Sequence, residues 1–443
     1  MRRALALLLP VVLLLASSVP AWAAPGDRLW NVRYREGKDR VTDEAIAIVT
    51  SPDGSTVFTL GRSSRTWDRP SSVLRAYDPA DGALRWATRV AGWTPRDLTV
   101  SADGATLVAT GDVLVTFVPD SLVDTDVRTV AFSAASGDVV WTATAGEGRL
   151  DQGRAVVATA DTAIVTGRLN GTTPDTITKA YDLATGDERW TAIHGGGGAD
   201  FGLDVALSPD GTSAFVAGKM GKFAAVTSYD VATGAELWSA EVTAPDGRRT
   251  DAQWVSVSDD GSEVFAAGHT SSGDNIVFAL DAADGTPDWT TVVAIGRQDI
   301  SRSAAYSDAV DTLFLEGTTA TWDAELNDYV YTTTVIALDT TTGAVRWSSP
   351  VEACSWNGPI EATPDGTALV VGCSARVPVG IAMIALALAT DTGAPSWVSS
   401  FGGGRRSAGA TDLTVAPSGE TVFVLGGLGL DAGDVVTLAY AMV

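Results

Sequence analysis

Short apolar and alternating runs recur along the chain, and each breaks off at a turn sequence, which predicts a succession of strands. Apolar residues lead into turns at Ala76-Tyr77-Asp78, Ala180-Tyr181-Asp182, Ser228-Tyr229-Asp230 and Ala337-Leu338-Asp339. Other runs start after Ser51-Pro52-Asp53-Gly54, Ser101-Ala102-Asp103-Gly104, Ser208-Pro209-Asp210-Gly211, Ser258-Asp259-Asp260-Gly261, Thr363-Pro364-Asp365-Gly366 or Ala416-Pro417-Ser418-Gly419. Proline presets φ in such turns and glycine supplies the positive φ that ends them. The strands that follow end in a glycine at positions 61, 111, 167, 218, 268, 317, 372 and 426.

These elements repeat. Gly-x-x-x-Trp occurs at Gly82/Trp86, Gly137/Trp141, Gly186/Trp190, Gly234/Trp238, Gly285/Trp289, Gly343/Trp347 and Gly393/Trp397. Counted from Trp30, the Trp-to-Trp spacing stays between 48 and 58 residues. One unit reads as four strands: A into the Pro-Asp-Gly turn, B to the terminal glycine, C to the Thr-Gly turn, and D starting near the tryptophan. The 46 residues after Trp397 hold A, B and C but no D, while Gly26-Asp27-Arg28-Leu29-Trp30 repeats the signature at the other end. The fold class is therefore all-β, an eight-bladed β-propeller closed by its N-terminal strand, with residues 27–37 beside 433–443. Closure covers the edges that an open array exposes. The repeat tryptophans are expected to pack between adjacent blades.

Residues 1–23 read as a signal peptide: Arg2 and Arg3, an apolar stretch from Leu5 to Ala16, and Ala21-Trp22-Ala23 as a cleavage pattern. Residues 24–443 form one propeller domain, expected to be secreted, extracellular and monomeric. Without the signal the chain carries 28 basic and 54 acidic residues, a net charge of −26. That balance excludes nucleic acid as a default partner, because phosphate neutralisation needs clustered cations. It also disfavours anionic lipid, and no second apolar run is long enough for a membrane span. Two cysteines, Cys354 and Cys373, and two histidines, His194 and His269, leave too few ligands for cysteine-rich zinc sites or for several His-based chemistries. Cys354 precedes strand A of blade seven and Cys373 follows the terminal glycine of strand B. Folding that hairpin brings both to one rim, so a disulfide is expected in an exported chain.

The Asp-x-x-Thr-Gly-x-x-x-Trp copies resemble the blade repeat of pyrroloquinoline-quinone-type propellers. Quinoprotein alcohol dehydrogenases and non-catalytic outer-membrane assembly propellers share that eight-bladed scaffold. The stretch Trp190 to Gly218 also resembles a bacterial seven-bladed propeller repeat. The quinoprotein resemblance implies a cofactor seated against a disulfide of adjacent cysteines, with a calcium held by Glu, Asn and Asp. Here the cysteines are 19 apart and no residue matches a catalytic position.

Strand alternation sorts the connections onto two rims. The A–B and C–D turns are short and acidic, with Asp53, Asp81, Asp103, Asp187, Asp210, Asp260, Asp284 and Asp365. The B–C and D–A connections carry most of the basic residues and the tryptophans outside the repeat. On that rim Trp67 and Trp322 are placed in B–C loops, Trp93 and Trp356 in D–A loops, and Trp254 near the start of an A strand. With Arg248, Arg249, Arg405 and Arg406 they form the candidate binding set, since Trp and Arg are enriched at binding hot spots. The competing reading is that each tryptophan only anchors a loop. Gly195 to Gly198 follows a strand and leads to another, which favours a connector over a phosphate loop. Asp120, Asp124 and Asp126, and Asp323, Glu325 and Asp328, are calcium candidates without EF-hand spacing, and read as solvated acidic loops. His194 and His269 sit at strand ends on the loop rim as hydrogen-bonding residues.

Two functions follow. The first is a secreted non-catalytic propeller that binds or scaffolds a protein or other extracellular ligand through its long-loop face, with no cofactor expected. The alternative is an extracellular propeller enzyme, an oxidoreductase using quinone or metal or a hydrolase, with carboxylates near the central channel. Calcium and pyrroloquinoline quinone stay open under that alternative, and the question of enzyme or not leans toward no.

Overall fold

In the computed structural model the described residues are 23–35, 42–64, 70–118, 122–146, 150–171, 173–195, 198–294, 304–324, 328–402, 407–429 and 433–442. The expected signal peptide therefore lies outside them except for Ala23. The strands form eight four-stranded antiparallel sheets. Blade 1 runs Thr42–Thr50, Val57–Ser64, Pro70–Tyr77 and Leu84–Ala91 as strands A to D. Blades 2 to 7 repeat that order over 93–145, 152–194, 201–242, 254–293, 304–351 and 360–402. Blade 8 takes its first three strands from Ala408–Val415, Thr421–Leu428 and Asp434–Ala441, and its fourth is Arg28–Tyr34. That strand pairs antiparallel with the C-terminal one, from Arg28 opposite Tyr440 to Tyr34 opposite Val435.

The Gly-Trp signature explains how blades join. Each repeat tryptophan packs against the glycine turn of the next blade, Trp30 on Gly82 and so on round to Trp397 on Gly26. Gly186 holds φ +77°, and a Cβ there would lie 2.7 Å from ring carbons of Trp141. The indole nitrogen then donates into that blade, as from Trp30 to the Pro79 carbonyl, Trp141 to Leu183 and Trp190 to Val231, all at 2.8 Å. The glycine is needed because the ring lies flat on the turn, and the carbonyl fixes the ring's orientation. Buried clusters accordingly run between neighbouring sheets, such as Val108, Trp141, Val165 and Tyr181.

The A–B turns are built alike. Ser51 Oγ donates to Asp53 Oδ1 at 2.6 Å, and the same carboxylate oxygen accepts the Ser55 N–H at 2.9 Å. Ser101/Asp103, Ser208/Asp210, Ser258/Asp260 and Thr363/Asp365 repeat the first bond. These hydrogen bonds, hydroxyl donors first, hold the Asp53, Asp103, Asp210, Asp260 and Asp365 carboxyls below the usual range, Asp260 down to about 2. The acidic rim is thus a set of ionised turn locks.

Strand A is the inner strand, and the inner strands of successive blades touch from blade 6 through blades 7, 8 and 1 round to blade 5. In blades 1, 2, 3, 4 and 8 the A–B register slips by one residue, at Ile46, Arg96, Arg154, Leu203 and Thr411. A β-bulge re-aims the side chain it inserts, and here it turns five different side chains toward the channel mouth.

Candidate binding face and channel mouth

Blade 6 departs from its neighbours. Its B and C strands, Thr312–Asp323 and Asp328–Asp339, are 12 residues each, whereas its D strand, Val345–Val351, has seven. The hairpin end therefore extends past the sheet on the loop rim. The segment expected as a loop at Trp322 is paired strand, with Trp322 opposite Tyr329 and Asp323 opposite Asp328. Blade 2 does the same, and Asp124 and Asp126 stand in its C strand, Leu122–Ser133, rather than in a loop. Asp120 and Glu325 lie outside the described residues. No group of three or more His, Cys, Asp or Glu is placed to hold a metal ion among the described residues.

Antiparallel partners and residues two apart share a face, so Trp322, Tyr329 and Tyr331 form one stripe. Trp322 and Tyr329 meet edge to face at 5.2 Å between ring centroids. They are 51% and 48% exposed, while Val330, on the opposite face of the hairpin, is 39% exposed. Tyr331 packs on Trp356 at 5.6 Å, and the Arg376 guanidinium lies 6.0 Å from the Trp356 ring while pairing with Asp328 at 2.7 Å. Beside Trp356 a cavity of about 420 Å³ opens between blades 7 and 8, with Asn357, Ser374, Ile381 and Gly409 in its wall.

The Trp356 connection is held along its length, first by main-chain bonds in both directions between Trp356 and Ser374. Cys354 and Cys373 form the expected disulfide, with Cα atoms 5.8 Å apart. Asn357 N–H donates to Thr318 Oγ1 at 3.1 Å, and Gly358 N–H donates to Glu316 Oε2 at 2.9 Å. Burial pushes the Glu316 carboxyl up to about 8, partly offset by the Gly358 bond. The tryptophan is therefore set on a cross-linked base rather than on a loose loop.

The other expected binding residues scatter. Arg248 is exposed and pairs with Asp246 at 3.0 Å and Asp274 at 3.3 Å, and Arg249 is exposed beside it. Trp254 opens strand A of blade 5 and packs, half-buried, on the cluster between blades 5 and 6. Trp67, Arg405 and Arg406 lie outside the described residues. Trp93 requires a correction. Only Gly92 separates the D strand of blade 1 from the A strand of blade 2, Trp93–Val100, so Trp93 begins a strand instead of occupying a loop. It is fully buried, donating from Nε1 to Ser72 Oγ at 2.8 Å, and can touch no ligand. His194 and His269 end a D and a B strand as expected, and His194 Nδ1 lies 3.1 Å from Glu236 Oε2.

The channel mouth is a second concave surface, of about 550 Å³, lined by bulge residues Ile46, Arg96, Arg154, Leu203 and Thr411 together with Arg62. Arg154 escapes a reading of the rims because it lies inside a strand; its signal is the position two residues after Gln152 at a repeat bulge. Below the bulges Asp97, Asp204 and Asp412 occupy equivalent positions. Each reaches across to the next inner strand, accepting N–H from Val156 at 2.8 Å, Val255 at 2.9 Å and Ile48 at 2.8 Å. Each is half-buried in the channel wall. Desolvation raises their carboxyls to about 6, 7 and 7, with Asp97 repelling the other two, and raises Glu361 to about 8. These carboxylates are seam bonds between blades.

Comparison with known proteins agrees with this geometry. Residues 173–372 match the family model of the PQQ-type repeat described as outer membrane protein assembly factor BamB. No curated protein matches the sequence significantly. Among solved structures, the chain is similar to a quinohemoprotein alcohol dehydrogenase from Pseudomonas putida, with 15% identity, TM-score 0.61, 94% of this chain and 76% of the other covered. BamB from Moraxella catarrhalis gives 14%, 0.56, 92% and 100%. Sqt1 from Chaetomium thermophilum, in a complex with the N-terminus of a ribosomal protein, gives 14%, 0.60, 94% and 100%. At such identities the likeness shows the fold: an eight-bladed propeller with the quinoprotein-like repeat.

The residues present do not fit the quinone and calcium of the dehydrogenases as the resemblance describes them. The cysteines are joined across a hairpin 19 residues apart instead of lying adjacent. Asp97, Asp204 and Asp412 spend oxygens on main-chain N–H groups, which leaves no converging set of free carboxylates there.

Proposed function

We propose that the protein is a secreted, non-catalytic propeller that binds a partner through its long-loop face, with the blade 6 hairpin and the Trp356 base as the contact. The observation that carries this reading is the stripe Trp322, Tyr329, Tyr331 and Trp356. It joins two half-exposed aromatic rings to a cross-linked platform beside an open cavity. Rigid aromatic area presented at low entropy cost is what a protein contact uses. The framework supports this division, since its glycines, turn aspartates and seam tryptophans are occupied in holding blades together. Export follows from the basic and apolar N-terminal segment.

The test is capture by the immobilised mature chain from medium of the source organism, with bound proteins identified by mass spectrometry. A Trp322→Ala/Tyr329→Ala variant, folded by circular dichroism, is expected to lose the specific species. Equal retention by the variant overturns the contact assignment. Robust dye-linked alcohol oxidation after reconstitution with pyrroloquinoline quinone and calcium overturns the non-catalytic reading.

A further inference from the structure

The channel mouth is electrostatically unlike the rest of this acidic chain. Arg62, Arg96 and Arg154 reach it from three successive blades. Two are already neutralised: Arg62 meets Glu44 at 2.6 Å, and Arg96 grips both oxygens of the buried Asp112 at 2.8 and 2.7 Å. Arg154 finds no carboxylate among the described residues; it donates only to the Gln152 side-chain oxygen at 2.8 Å. Burial, and then repulsion by Arg96 and Arg168, lowers its affinity for its own proton, with Asp112 opposing. Arg168 adds a second cation whose guanidinium lies over the Phe201 ring at 5.5 Å. Across the same cavity Ile46, Leu203 and Pro95 present apolar surface.

A crowded guanidinium facing an open cavity is stabilised by an anion. With two of the three lining arginines already paired, the cavity suits one charge better than several. We propose that the channel mouth binds a small organic monocarboxylate, its oxygens on Arg154 and its apolar tail against Leu203, Ile46 and Pro95. The volume, about 550 Å³, lies within the range of small-molecule sites. Arg matches a carboxylate with two parallel N–H donors, and desolvation strengthens that pair. The site is separate from the aromatic stripe, so it stands or falls independently of the partner-binding face.

Isothermal titration with hexanoate, and with hexanamide at matched ionic strength, reads the claim directly. Hexanoate is expected to bind once per chain, and hexanamide about tenfold more weakly or not at all, as for loss of a charge-assisted bond. Arg154→Gln, with its fold checked by circular dichroism, is expected to lower hexanoate affinity by the same factor. Leu203→Glu supplies an internal carboxylate and is expected to abolish hexanoate binding while keeping or raising Tm. Absence of saturable hexanoate binding, equal binding of hexanamide, or unchanged affinity in either variant overturns the proposal.

Discussion

The framework and the loop face use the same residue types to opposite ends. Trp141 is 8% exposed, its ring flat on Gly186 and its nitrogen bonded to Leu183, whereas Trp322 is 51% exposed at a hairpin tip. Asp103 in a turn is locked ionised by Ser101 and the Ala105 N–H, while Asp204 in the channel is pushed toward its neutral form by burial. Position in the blade decides what a side chain does. Repetition marks the framework, and departure from repetition marks what is available for binding.

The sharpest break of that contrast is one substitution made in both places. Trp141→Ala opens a cavity in a blade seam and is expected to cost about 3–5 kcal/mol, read by chemical denaturation. A loss under about 1 kcal/mol would mean that seams do not carry the ring. Next in size is the Trp356 base: replacing Cys354 and Cys373 together by Ala is expected to cost about 3 kcal/mol from loop closure. An unchanged Tm in reductant would contradict this.

The channel and turn carboxylates then separate by pH. A carboxyl raised in the fold contributes stability that is full below its unfolded pKa, about 4, and is lost as pH rises through its folded value. For Asp97, Asp204 and Asp412 that window reaches about 6 to 7. Asp204→Asn is therefore expected to raise Tm most at pH 8, less at pH 5, and to leave it nearly unchanged below pH about 4. Depressed turn carboxyls contribute stability that is present above pH about 4 and lost as pH falls through the folded value. Asp103→Asn is expected to lower Tm modestly at pH 7, with the deficit shrinking toward pH 2; a deficit independent of pH would assign the effect to packing. Smallest of all, Trp322→Ala is expected to change stability by less than about 0.5 kcal/mol.

The blades were legible in the sequence because each makes the same contacts, so seam glycines, tryptophans and turn aspartates recur at one spacing. The count of eight and the N-terminal closing strand follow from that recurrence alone. The sites were less legible, since they arise where strands depart from regular pairing. Trp93 was misplaced because a single residue, Gly92, makes the whole D–A connection. Trp322 stands in a strand because blade 6 extends its hairpin past the sheet. Arg154 is aimed at the channel by a bulge, and a one-residue slip inverts the face that alternation assigns. The disulfide was accessible because hairpin geometry alone brings its two ends together.

Ring closure also imposes an order in time. Arg28–Tyr34 leaves the ribosome roughly 400 residues before its partner strand, Asp434–Ala441, so the first strand made waits for the last. Until then the nascent chain is an open arc with an unmatched strand at each end, and completion is a single late step. Ribosome-bound chains arrested before Asp434 are expected to leave 28–34 open to hydrogen exchange, and protection there would refute that order. Loss of Asp434–Ala441 would leave Arg28–Tyr34 without its partner, so damage to the last propeller strand becomes exposure of one made roughly 400 residues earlier.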